Sequence, residues 1–62
     1  MKVREVIRLI EKDGWYLARH KGTSHRQYRH PTKIGNVTIA GNLGDEVDKG
    51  TLNSIRRQAG LK

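Results

Sequence analysis

The sequence predicts an α+β fold of order α-β-β-β-α, a two-layer sandwich of a three-stranded antiparallel sheet with two helices on one face. Three observations predict it. Apolar residues recur at helical spacing near both ends of the chain. The middle instead alternates with a period of two. The segments joining the strand candidates, 21–24 and 31–36, are short enough for antiparallel hairpins. The 62 residues make a single domain, 1–62. A chain of this size buries only about 60% of its unfolded surface, so its core is small.

Each element follows from local pattern. Val3, Val6, Ile7 and Ile10 recur with Arg4, Arg8 and Glu11 between them, an amphipathic helix that Asp13-Gly14 ends. From Gly14 to His20 the period changes, and Trp15, Leu17 and Arg19 alternate with Tyr16, Ala18 and His20. Lys21-Gly22-Thr23-Ser24 reads as a turn. His25–His30 is a second strand with Tyr28 as its apolar anchor, and Pro31–Asn36 is a loop. Val37–Ala40 is a third strand, with Val37 and Ile39 on one face. Gly41–Lys49 is polar and turn-rich, and includes Asp45, Glu46 and Asp48. Thr51–Ala59 is a helix with Leu52, Ile55 and Ala59 on one stripe, and Gly60 caps it. The expected core is Val3, Val6, Ile7, Ile10, Trp15, Leu17, Tyr28, Val37, Ile39, Leu52, Ile55 and Leu61. The second face of an antiparallel sheet can stay open and polar.

Charge narrows the function. Thirteen Lys and Arg stand against six Asp and Glu, a net charge of +7. From Gly14 to Gly44 there is no acid, while Arg19, Lys21, Arg26, Arg29 and Lys33 fall there with all three histidines, His20, His25 and His30. A titratable base in a positive field suits a polyanion. RNA is the first candidate, because its 2′-hydroxyl is a built-in nucleophile that needs only a base. No apolar run approaches the roughly 20 residues of a membrane span, and the basic cluster lies on strands rather than on an amphipathic helix, so no membrane partner is expected. With no cysteine and no HExxH spacing, neither a disulfide, a metal nor another cofactor is expected. Met1–Glu5 lacks the apolar segment of a signal peptide, and the expected setting is the cytoplasm.

His25 follows a glycine-containing turn and opens a strand, so it is the candidate general base. A histidine with its ordinary pKa near 6.5 keeps a sizeable neutral fraction at cytosolic pH. Ser24 and Thr23 flank it, either to hydrogen-bond phosphate oxygens or simply to shape the turn. Arg19, Lys21, Arg26 and Arg29 are candidates for phosphate contact and for stabilising charge in a transition state. Strict alternation puts His25, Gln27 and Arg29 on one face of the strand and Arg26, Tyr28 and His30 on the other. If Tyr28 is core, Arg29 is the better candidate of the two arginines. Trp15 and Tyr28 are open to either base stacking or core packing, with core favoured for Trp15. His20 and His30 receive no role.

Gly14-Trp15, then Arg19, then Gly22-Thr23-Ser24-His25, then Val37-Thr38-Ile39, then the run Gly50–Leu61 form an ordered set. This set resembles the HicA toxins of bacterial type II toxin–antitoxin pairs over nearly the whole chain. The resemblance implies a fold like the double-stranded-RNA-binding domain and an endoribonuclease that cleaves mRNA without metal. The family's catalytic histidine, in its Gly-Ser-His element, falls on His25. In that fold the start of the second helix contacts phosphates, which adds Lys49. Ala40-Gly41-Asn42 stands where many members carry Pro and His, so no second catalytic histidine is carried over. The resemblance also implies a HicB-like antitoxin covering the site, steered by the same positive charge that attracts RNA. The free toxin is expected to be a monomer. Two rival readings are a non-catalytic RNA-binding module using the same face and a small DNA-binding protein. Against the latter, no helix carries a clear recognition pattern.

Overall fold

The computed structural model describes residues 1–22 and 24–61. Helix α1 (Val3–Lys12) is followed by strands β1 (Tyr16–Lys21), β2 (His25–Arg29) and β3 (Val37–Ala40), then by helix α2 (Lys49–Gln58). The order is the one expected, with α2 starting two residues before Thr51. The sheet runs β1-β2-β3, and both pairings are antiparallel.

Helix α1 buries Val3, Val6, Ile7 and Ile10. At its start the Lys2 amide donates to Glu5 Oε1 at 2.7 Å, giving one orphan donor of the first turn a carboxylate partner. That hydrogen bond holds the Glu5 carboxyl below its usual range. The chain leaves α1 through Gly14, whose φ of +106° only glycine adopts readily, and a Cβ there would sit 2.8 Å from His30 Nε2. Helix α2 ends in a Schellman arrangement: Leu61 N–H donates to Arg56 O at 2.8 Å and Gly60 N–H to Arg57 O at 3.1 Å. Gly60 takes the left-handed conformation this requires, with φ +70°.

Between the layers the two helices meet Trp15, Tyr28, Val37 and Ile39, with Ile55 contributed by α2 and Ala59 by its C-cap. Trp15 is 2% exposed, and its Nε1 donates to Ala59 O at 3.2 Å, tying the start of the sheet to the end of α2. Val47, Leu52 and Leu61 are half-buried at the margin.

Leu17 corrects the expected core: it is 47% exposed. Its register partner is the buried Tyr28, so it lies on the helix side of the sheet. Both helices, however, pack over β3, at the opposite edge. Strand β1 therefore projects beyond them, and all six of its residues are exposed. Periodicity identifies the side of a strand but not whether anything covers it.

Candidate functional site on the open sheet face

Strand β2 sorts its side chains by the pleat. Tyr28 is buried against the helices and Arg26 half-buried, while His25, Gln27 and Arg29 are exposed on the open face. Neighbouring strands complete that face. His25 pairs with Lys21 and Ala40, Gln27 with Arg19 and Thr38, and Arg29 with Tyr16.

A β-bulge brings Arg19 there. Leu17 pairs with Tyr28 and Arg19 pairs with the next residue back, Gln27, so Ala18 is the extra residue of β1. Strict alternation would keep Arg19 on the same side as Leu17. The bulge turns it over, and Arg19 and Lys21 join His25 on the open side.

These residues line two adjoining cavities. One, of about 190 Å³, is formed by Arg19, Lys21, His25, Gln27 and Thr38. The other, of about 410 Å³, is formed by Ala18, Arg19, Gln27 and Arg29. Neither contains an acid. A larger groove of about 530 Å³ beside α2 is lined by Asn53, Arg56, Arg57 and Leu61 and offers no general base.

His25 is exposed, and the Ser24 hydroxyl lies 3.4 Å from its Nδ1, with the direction of that hydrogen bond set by the ring tautomer. Ser24 O in turn accepts from Gly41 N–H at 2.8 Å, fixing the hairpin turn to the end of β3. Gly41, at φ +106°, also accepts from Arg26 Nη1 at 3.1 Å. Arg26 thus braces this loop from the helix side of the sheet, away from His25. Thr23 lies outside the described residues. Lys49 opens α2 in the helix layer and does not line the His25 cavity.

The other two histidines lie apart from His25. His20 pairs with Arg26 on the helix side of the overhanging strand. His30 is a structural hub. Its Nε2 donates to Asp13 O at 2.6 Å, and its Nδ1 accepts from the Thr32 and Lys33 amides, each at 3.1 Å. Its ring meets Trp15 edge-on at 5.2 Å. Beside it Lys33 pairs with Asp13 and donates to Ala59 O at 3.0 Å. The Lys33 ammonium holds the Asp13 carboxyl below the usual carboxylate range.

Trp15 and Tyr28 are each 2% exposed, which leaves neither available for stacking. The accessible aromatic on the open face is Tyr16, 51% exposed, which the pattern of residues alone did not single out. Its alternation with a buried Trp15 was the available signal. Thr38 was also missed, and was legible as the outward residue between Val37 and Ile39. Among the described residues no group of His, Cys, Asp or Glu is placed to hold a metal ion, and no helix is long and apolar enough to cross a membrane.

The fold and the face together define a small basic α+β protein that presents an exposed histidine among cations, with no acid lining the cavities on that side of the sheet. Such a surface is suited to an anionic partner. The family model described as the HicA toxin of bacterial toxin–antitoxin matches residues 3–61, and the chain belongs to that family. Its role is that of the toxin in such a pair, which implies a cognate antitoxin. Comparison with curated proteins gave no match.

Proposed function

We propose that this protein is a metal-independent endoribonuclease that cleaves mRNA in the cytoplasm, with His25 as general base. The observation that carries this reading is the shared cavity of His25, Arg19 and Lys21, which no acid lines. With Nδ1–H donating to Ser24 Oγ, the lone pair of Nε2 is free to take the proton of a 2′-hydroxyl. The 2′-oxygen then attacks the adjacent phosphorus, and the bond to the 5′-oxygen breaks. The products are a 2′,3′-cyclic phosphate and a 5′-hydroxyl, whose proton returns from the imidazolium or from water. Arg19 and Lys21 flank the phosphate and stabilise the charge that builds on its oxygens.

The same face is where a HicB-like antitoxin would bind. An acidic partner surface is steered to Arg19, Lys21 and Arg29 and covers His25.

The test is cleavage of a mixed-sequence RNA by wild-type and His25→Ala proteins in EDTA. Cleavage by wild type alone, with a cyclic phosphate end, supports the reading. Equal cleavage by both assigns the chemistry elsewhere. Binding without cleavage by wild type makes the protein an RNA-binding module.

A further inference from the structure

The second cavity on the open face reaches beyond His25 and has the composition of a nucleotide site. Its lining is Ala18, Arg19, Gln27 and Arg29. Ala18 is the bulged residue, and its methyl group leaves room above the strand where a longer side chain would stand. Gln27 and Arg19 line both cavities, so the two are continuous. At the far end Arg29 is the register partner of Tyr16, whose ring is half exposed on the same face. A cation beside an accessible aromatic ring is what a nucleotide needs, the charge for its phosphate and the ring for its base. Next along β2, between Arg29 and His25, the Gln27 amide has both donors and an acceptor, the chemistry that reads a base edge.

We propose that Tyr16, Gln27 and Arg29 form a second nucleotide subsite, which holds the RNA strand a few nucleotides from the scissile phosphate. This rests on the proposal that RNA is cleaved at His25. The distance is set by the strand: from His25 to Arg29 is four residue steps, about 13 Å at about 3.3 Å per residue. A stacked single strand advances about 3.4 Å per nucleotide, and one splayed over the sheet advances further. A dinucleotide at His25 therefore falls short of Arg29, and a hexanucleotide reaches it. Arg29 and Tyr16 act as binding residues, and the RNA length they require distinguishes them from Lys21, which lies beside the scissile phosphate.

The experiment measures binding of 2′-O-methyl RNA, which cannot be cleaved through its 2′-oxygen, as a dinucleotide and as a hexanucleotide at fixed salt. Wild type, Arg29→Ala, Tyr16→Ala and Lys21→Ala are compared, with circular dichroism to verify folding. The hexanucleotide is expected to bind wild type at least about tenfold more tightly than the dinucleotide. Arg29→Ala and Tyr16→Ala should shrink that ratio, whereas Lys21→Ala should weaken both ligands and keep it. A ratio untouched by Arg29→Ala and Tyr16→Ala, or shrunk equally by Lys21→Ala, overturns the subsite. Because the readout is binding of an uncleavable RNA, a failed subsite is told apart from a failed assignment of cleavage to His25, which the His25→Ala cleavage assay reads separately. A wild type that binds neither RNA overturns both proposals.

Discussion

Lys21 and His25 are partners across the β1–β2 hairpin, on the side of the sheet that the helices leave open. The pairing puts a permanent cation beside the imidazole where the strands enter the turn. Lys21→Ala and Arg19→Ala should each weaken RNA binding and flatten its salt dependence. The slope of log affinity against log salt is expected to fall by about 0.7 for each phosphate that the protein no longer neutralises on single-stranded RNA. Arg26→Ala should leave the slope alone, because that guanidinium is bound to Gly41 on the other side. Titrations at several salt concentrations check all three.

Two of the histidines should separate in a stability assay. His25 is exposed, and His25→Ala is expected to leave stability within the scatter of surface substitutions, about 0.5 kcal/mol. The His30 side chain is only 10% exposed and satisfies the Thr32 and Lys33 amides. His30→Ala should cost about 1–3 kcal/mol, since those donors are left without their acceptor and Trp15 loses its edge-on ring contact. Thermal or urea unfolding of both variants gives the comparison.

Asp13 gives the fold an acid sensitivity of known sign. Lys33 lowers its folded pKa, so the unfolded chain binds the proton more readily. The resulting stability is fully present above the ordinary carboxylate pKa of about 3.9 and is lost as pH falls through the depressed folded value. Urea unfolding at successive pH values should show wild type more stable than Asp13→Asn at neutral pH. The gap should close in acid.

Leu17 and Ile39 test how far the helices reach. Ile39 is 1% exposed, and Ile39→Ala should cost about 2–5 kcal/mol, enough to unfold much of a domain this small. Leu17→Ala removes a side chain that is 47% exposed and should cost well under half as much. Equal shifts in denaturant midpoint would mean that β1 is covered after all.

Much of this was legible in the residues. Val3, Val6, Ile7 and Ile10 marked α1, the Val37/Ile39 alternation marked β3, and Tyr28 fixed which side of β2 faces in. From that one side, His25, Gln27 and Arg29 followed as the open face, and Arg29 as a better candidate than Arg26. Three things were not legible. The overhang of β1 depends on where α1 and α2 settle on the sheet, which no periodicity records, so Leu17 looked like core. The role of His30 depends on Asp13 and Trp15, brought to it by the fold. The side taken by Arg19 depends on a bulge, which a six-residue strand can carry without any mark in its sequence.

The register of β1 on β2 makes the site depend on a count of residues as well as on their identities. With Ala18 deleted and the pairing of Leu17 with Tyr28 kept, the ladder becomes regular and Arg19 still falls opposite Gln27. With His20 deleted instead and the pairing of Arg19 with Gln27 kept, Lys21 slips by one along β2, and a one-residue slip exchanges the two faces of a strand. Lys21 would then stand opposite Arg26, on the helix side, and no longer opposite His25. A toxin gene could thus lose the cation beside His25 by losing the His20 codon in frame, with His25, Arg19, Lys21 and Arg29 all still encoded.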